Sequence, residues 1–93
     1  MSEAPLDFDS VWARILDLRG EFFQTAKGRW FTYKVDDDEL SVSQTDFQIP
    51  RSDLALAFNM LPISVSAKLN RLVEGPAYVW AILHDERISR GDW

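Results

Sequence analysis

The sequence contains no cysteine and only one histidine among its 93 residues. The absence of cysteine excludes disulfide bonds and thiolate metal sites, so packing alone must stabilise the chain. It also fits a reducing compartment. The longest apolar run, Ala77–Leu83, falls well short of the roughly 20 residues that span a bilayer. The acidic N-terminus lacks the pattern of a signal peptide, and we expect a cytoplasmic protein without membrane contact.

Positive charge is also scarce, since 15 acidic residues outnumber 10 basic ones and give a net charge of −5. The acidic residues are concentrated in the first half of the chain, which disfavours capture of nucleic acid by the whole domain. Glycine-rich nucleotide-binding patterns are missing as well, and we expect no bound cofactor. The composition therefore indicates neither a nucleotide-dependent enzyme nor a generally basic nucleic-acid-binding protein.

Aromatic residues are plentiful, with four tryptophans and six phenylalanines. This content and the short length predict a single folded domain over residues 1–93, because two separate cores would each be too small. Residues 1–8 are predicted to form an N-terminal arm and residues 89–93 a C-terminal tail.

The first half of the chain predicts a helix followed by a three-stranded antiparallel meander. Asp9 or Ser10 can cap the helix, and Gly20 ends it. A two-residue turn at Lys27-Gly28 would join strands 21–26 and 29–35, and Asp37-Asp38 would lead into 39–43.

These two turns fix the predicted register of the meander. Phe22 lies opposite Tyr33 across the first turn. Tyr33 lies opposite Val42, and Val35 opposite Leu40, across the second. Both turns then gather the apolar side chains on one face.

The second half predicts two or three short helices packed on the sheet. Ser52 can cap a helix over Asp53–Met60, and another runs from Ser64 through Leu72. Ala77–Leu83 is apolar nearly all round, so it is either a helix, which Pro76 favours, or a buried strand. The fold class is therefore α+β. The predicted core comprises Val11, Trp12, Ile15, Phe31, Tyr33, Leu40, Val42, Leu56, Leu69, Trp80 and Leu83.

Two stretches carry a family resemblance, Gly28-Arg29-Trp30-Phe31-Thr32-Tyr33 and the segment from Gly75-Pro76 through Ile88. They resemble small uncharacterised bacterial domains of the kind carried by mobile gene cassettes or appended to larger proteins. The similarity covers roughly residues 20–88 and rests on glycine turns, aromatic strands and a Gly-Pro helix start. It implies a fold of this type and no particular activity.

Catalytic and metal-binding patterns are weak. His84 beside Asp85 and Glu86 could act as a general base, but no activated nucleophile accompanies it, and a histidine at a helix C-terminus is the simpler interpretation. The acidic run 36–39 lacks the ligand spacing of a calcium loop and reads as a solvated turn. We therefore expect no catalytic residue and no metal.

Residues 53–72 resemble helix-turn-helix spacing, which suggests DNA binding as an alternative function. The turn lacks glycine, however, and the whole domain is acidic. The side chains that would contact nucleic acid are Arg51, Ser64, Ser66, Lys68, Asn70 and Arg71.

The leading expectation is a non-catalytic protein-interaction module. In the predicted register, Phe23 and Trp30 lie outward with Thr32, and exposed aromatic pairs are typical of contact surfaces. The partner would be a second copy of the chain, or another protein, bound at this face or at the sheet edge. The hypothesis depends on the register, since a one-residue slip would turn Phe23 inward and remove the proposed contact surface.

Overall fold

The computed structural model describes residues 7–61 and 66–93, which form the predicted α+β domain. Helix α1 (Phe8–Asp17) turns Val11, Trp12 and Ile15 into the core. Its N-cap is Asp7 rather than the predicted Asp9 or Ser10, because the Asp7 carboxylate accepts a hydrogen bond of 3.0 Å from the Ser10 backbone N–H. This bond lowers the pKa of Asp7.

The strands form two small antiparallel sheets instead of one meander. The strands are β1 (Phe23–Gln24), β2 (Trp30–Phe31), β3 (Tyr33–Asp36), β4 (Glu39–Val42) and β5 (Gln48–Pro50). A hairpin of β1 and β2 precedes a three-stranded sheet of order β3-β4-β5. The predicted three-stranded sheet is thus present, but its third strand is β5, and the predicted strand 21–26 lies outside it.

The predicted register across the turn between β3 and β4 is confirmed. Tyr33 pairs with Val42, and Val35 pairs with Leu40. Ile49 of β5 then lies opposite Leu40, which places another apolar side chain on the inner face. The apolar side chains that alternate along these strands account for the agreement.

Helix α2 (Arg51–Asn59) begins earlier than predicted, with Pro50 as its N-cap instead of Ser52. Leu54 and Ala57 face the core, whereas Leu56 is 41% exposed, so its predicted core position is wrong. Successive residues of a helix are rotated by about 100°, so Leu56 lies away from the side on which Leu54 and Ala57 are buried.

Ser66–Leu69 is a short 3₁₀ helix followed by turns. The helix predicted from Ser64 through Leu72 therefore ends at Leu69, and its proposed start at Ser64 lies outside the described residues. Leu69 is buried as predicted.

Ala77–Leu83 belongs to a helix, α3 (Pro76–Leu83), and not to a strand. Pro76 occupies its first turn, and Gly75 before it has the left-handed backbone conformation, with φ of 53°. Five of its eight residues are buried, while the predicted core residue Trp80 is only half-buried. The helix is thus the central element that its apolar composition predicts.

The chain ends in a docked segment, although residues 89–93 were predicted to form a tail. Helix α4 (Glu86–Ser89) buries Ile88 completely. The Trp93 indole then donates a hydrogen bond of 2.6 Å to the Leu83 carbonyl and packs edge-on against Phe58. No helix among the described residues is long and apolar enough to cross a bilayer.

Candidate functional site

The β1–β2 hairpin differs from the predicted one by a one-residue slip. Phe23 pairs with Phe31, and Gln24 pairs with Trp30. Phe23 is therefore only 1% exposed, and its predicted outward position is wrong. Its neighbour Phe22 is instead 65% exposed, and Trp30 is 61% exposed as the prediction required.

The turn explains this slip. The Gly28 N–H donates to the Thr25 carbonyl, and the Thr25 N–H donates to the Arg29 carbonyl, each at 2.9 Å. The loop thus contains three residues, Ala26-Lys27-Gly28, with Gly28 at φ of 90°. Three-residue hairpin loops with glycine in the left-handed region are a common alternative to the two-residue turn. The added residue moves every partner by one position and exchanges Phe22 for Phe23.

Phe22, Gln24 and Trp30 form one exposed surface, which we call the aromatic face. Gln24 and Trp30 are direct cross-strand partners. Phe22 immediately precedes β1 and lines the same cleft as both of them. Thr32, which was predicted to lie here, is half-buried, and its backbone N–H and carbonyl both bond to Ser43. The aromatic face forms one wall of an open cleft of about 630 Å³, and His84, Asp85, Glu86 and Arg87 form the other.

Arg87 connects the two walls of the cleft. Its guanidinium donates to the Phe22 carbonyl at 2.7 Å and lies 4.4 Å from the centre of the Phe23 ring. It also forms a two-pronged ion pair with the Asp85 carboxylate. The partial burial of Asp85 opposes its ionisation, but the hydrogen bonds from Arg87 outweigh that effect and lower the pKa of Asp85. Arg87 therefore connects α4 to Phe22, the residue that immediately precedes β1.

His84 is engaged at the C-terminus of α3, where the sequence placed it. Its Nδ1 lies 2.9 Å from the Trp80 carbonyl oxygen, and its ring stacks on the Trp80 indole with a centroid separation of 4.2 Å. Asp85 caps α4 and pairs with Arg87 instead of orienting the imidazole. Among residues 7–61 and 66–93, His84 thus forms no ion pair with a carboxylate of the kind that general-base chemistry would use.

Among the residues of the alternative DNA-binding hypothesis, Arg51 is engaged in contacts within the fold. Arg51 pairs with Asp9 and lies over the rings of Phe8 and Trp12, so it joins α2 to α1. Lys68, Asn70 and Arg71 are exposed on and after the 3₁₀ helix. Ser66 begins that helix, and Ser64 lies outside the described residues. The predicted recognition helix is not formed over 66–72, and DNA binding itself stays a prediction.

The acidic residues 36–39 surround the β3–β4 turn, and all four are exposed. Within residues 7–61 and 66–93, no three histidine or carboxylate side chains are grouped closely enough to hold a metal ion.

The aromatic face could be predicted from the sequence only by assuming a three-residue loop in the hairpin. Phe22 and Phe23 are the same residue type, so nothing but the register shows which of them is exposed. The role of Arg87 has no local signal, since Arg87 and Phe22 are 65 positions apart. Comparison with known proteins adds no relative: the chain matches no protein-family model, no curated protein and no solved structure.

Proposed function

We propose that this protein is a non-catalytic interaction module that binds a second copy of itself through the aromatic face. The observation that supports the proposal is that Phe22 and Trp30, 65% and 61% exposed, line the same cleft. Large aromatic side chains are the commonest anchors of protein interfaces and are costly to leave in water. The cysteine-free composition fits a cytoplasmic site of action.

The cleft supplies features that suit a contact centre. Arg87 is fixed by Asp85, the Phe22 carbonyl and the Phe23 ring, so it loses little side-chain freedom when a partner covers it. Glu86 and Gln24 add polar groups around the two exposed rings. An apolar centre with a polar rim is the usual anatomy of an interface.

A two-fold arrangement accounts for the pairing of these residues. In such a dimer the same patch serves both copies, so Trp30 of one copy can cover Phe22 of the other. Together the two rings expose on the order of 250 Å². Burying that area on both copies contributes roughly 12 kcal/mol, against an association cost of about 4–15 kcal/mol. The expected dimer is therefore weak.

The test measures the solution mass by light scattering or sedimentation, over a concentration series up to about 1 mM. At that concentration a net binding free energy of roughly 4 kcal/mol is enough to populate the dimer. We expect the mass to rise from monomer towards dimer. The double variant Phe22→Thr with Trp30→Thr should stay monomeric at every concentration.

A matched control removes an exposed apolar side chain elsewhere. Leu56→Gln lies on the outer side of α2, so this variant should dimerise like the parent protein. A parent protein that remains monomeric at the highest concentration would refute the proposal. Equal dimerisation by the double variant would refute the assignment to the aromatic face.

A further inference from the structure

The molecule carries opposite charges at two separate places. One is a groove between the β1–β2 turn and segment 67–77, which we call the basic cleft. It consists of two adjoining hollows of about 390 and 490 Å³ that share Thr25, Lys27 and Ala77. Lys27 and Arg29 line it, and no carboxylate does.

Further basic residues flank the basic cleft. Lys68 and Arg71 adjoin Ala67 and Asn70, two residues that line it, and both are exposed. None of the four basic side chains forms a salt bridge within the described part of the chain. Such a concentration of unpaired positive charge is notable in a chain with a net charge of −5.

The second place is the β3–β4 turn with Asp36, Asp37, Asp38 and Glu39, which we call the acidic turn. Its four carboxylates are exposed and likewise form no salt bridge with a described residue. The chain from Arg29 to Asp36 is extended over most of its seven-residue length. It therefore separates the acidic turn from the basic cleft by on the order of 20 Å. The acidic turn therefore does not fill the basic cleft of its own chain.

We propose that the basic cleft binds the acidic turn of a second copy of this chain. The charges are complementary, with four basic side chains in or beside the cleft and four carboxylates at a narrow hairpin tip. A contact between two different surfaces is head-to-tail, and its repetition produces open chains or rings. This contact is separate from the aromatic face and does not depend on the proposed dimer.

A second copy fits the basic cleft better than nucleic acid does. The duplex carries one negative charge per about 1.7 Å along its length, and the acidic turn and net charge of this chain would repel it. A hairpin tip presents its carboxylates at one point, which matches a cleft flanked by only four basic side chains.

The test uses two variants, which we call the end variants: one alters the basic cleft and the other alters the acidic turn. Both also carry Trp30→Thr, so that the aromatic face contributes nothing. Lys27→Glu with Arg29→Glu reverses the basic cleft. Their side chains take no part in the turn's hydrogen bonds, so the hairpin should stay folded. Asp37→Asn with Asp38→Lys alters the acidic turn, and asparagine tolerates the φ of 55° at position 37.

Sedimentation velocity at about 0.1 M ionic strength then measures the size of the species formed. At this ionic strength charges more than about 10 Å apart are screened, which weakens the repulsion between two acidic copies but leaves ion pairs in direct contact. The Trp30→Thr parent should form species larger than a dimer, and about 1 M salt should return them to monomers. Each end variant alone should be monomeric. Their mixture should form a 1:1 dimer and nothing larger, because only one cleft and one turn remain.

The control is Arg19→Glu with Lys34→Glu, which changes the net charge by the same amount at exposed positions outside the basic cleft. It should assemble as the parent does, and circular dichroism should show all variants folded. A monomeric parent, a monomeric mixture, or a control that loses assembly as fully as the cleft variant would each overturn the proposal. So would binding of a duplex of about 20 base pairs by a parent that does not self-associate.

Discussion

Phe22 and Phe23 are adjacent and chemically identical, yet one is exposed and the other is buried. Phe23 packs against the rings of Phe31 and Tyr33 at centroid distances of 5.9 and 5.2 Å. Phe22 offers its ring to solvent and contributes only its backbone carbonyl to the bond from Arg87. The hairpin register alone makes this difference.

The two positions therefore predict effects on stability of very different size. Phe23→Ala removes a fully buried ring and should lower the free energy of unfolding by about 3–5 kcal/mol. Phe22→Ala should change it by less than about 0.5 kcal/mol, as is usual for exposed positions. Urea denaturation of the two variants at low protein concentration measures both values. Reversed values would contradict the register.

Tyr33 predicts a loss of stability at high pH. Its hydroxyl donates a hydrogen bond of 2.6 Å to the Ile15 carbonyl, and burial raises its pKa above the ordinary value of 10.0. Since only the unfolded chain ionises readily, this contribution is present below pH 10 and is lost as the pH rises further. Tyr33→Phe should be less stable by about 1 kcal/mol at pH 7 and should lose less stability above about pH 10. Urea midpoints across pH 7–11 test this; parallel curves for the two proteins would rule it out.

Among the elements, those with strong local patterns were predicted well. The alternating apolar residues of β3 and β4 determined their register, and the Gly-Pro start favoured a helix for α3 over the alternative of a strand. Elements with ambiguous local signals were predicted less well. Lys27-Gly28 fits both a two-residue and a three-residue loop, and the packing of Phe23 against Phe31, Tyr33 and Arg87 distinguishes them.

The close packing at the start of α3 predicts the effect of a substitution at Gly75. A methyl group added at Gly75 would lie 3.2 Å from Ile49 Cδ1 and 3.3 Å from Phe47 Cγ, at a φ unfavourable for alanine. Gly75→Ala should therefore destabilise the protein by about 1–3 kcal/mol. Gly28→Ala is the control, since its methyl would meet only Gln24 Nε2 at 3.6 Å, so only backbone strain remains. Thermal unfolding compares them, and an equal loss would show that the close contacts near Gly75 carry no cost.

On the scale of the whole molecule, the last residues connect three helices that are distant in sequence. Arg14 of α1 donates to the Ile88 and Ser89 carbonyls and pairs with Asp92 at 2.6 Å. Trp93 adds its contacts with α2 and α3. The sequence did not reveal this docking, because its partners lie up to 78 positions away.

The docking predicts that Trp93→Ala should lower the free energy of unfolding by about 2 kcal/mol, through loss of the half-buried ring and its bond to Leu83. Arg90→Ala is a control at an exposed position in the same segment and should cost less. Denaturant midpoints separate the two. A Trp93 variant as stable as the parent would mean that the segment behaves as a tail in solution.

The central claim is that two copies meet through Phe22 and Trp30. An isotope-filtered nuclear Overhauser experiment on a mixture of labelled and unlabelled protein, near 1 mM, detects only contacts between copies. We expect such contacts between the Phe22 and Trp30 rings, with further contacts to residues 84–87. Intermolecular contacts confined to other faces, or none at this concentration, would contradict it.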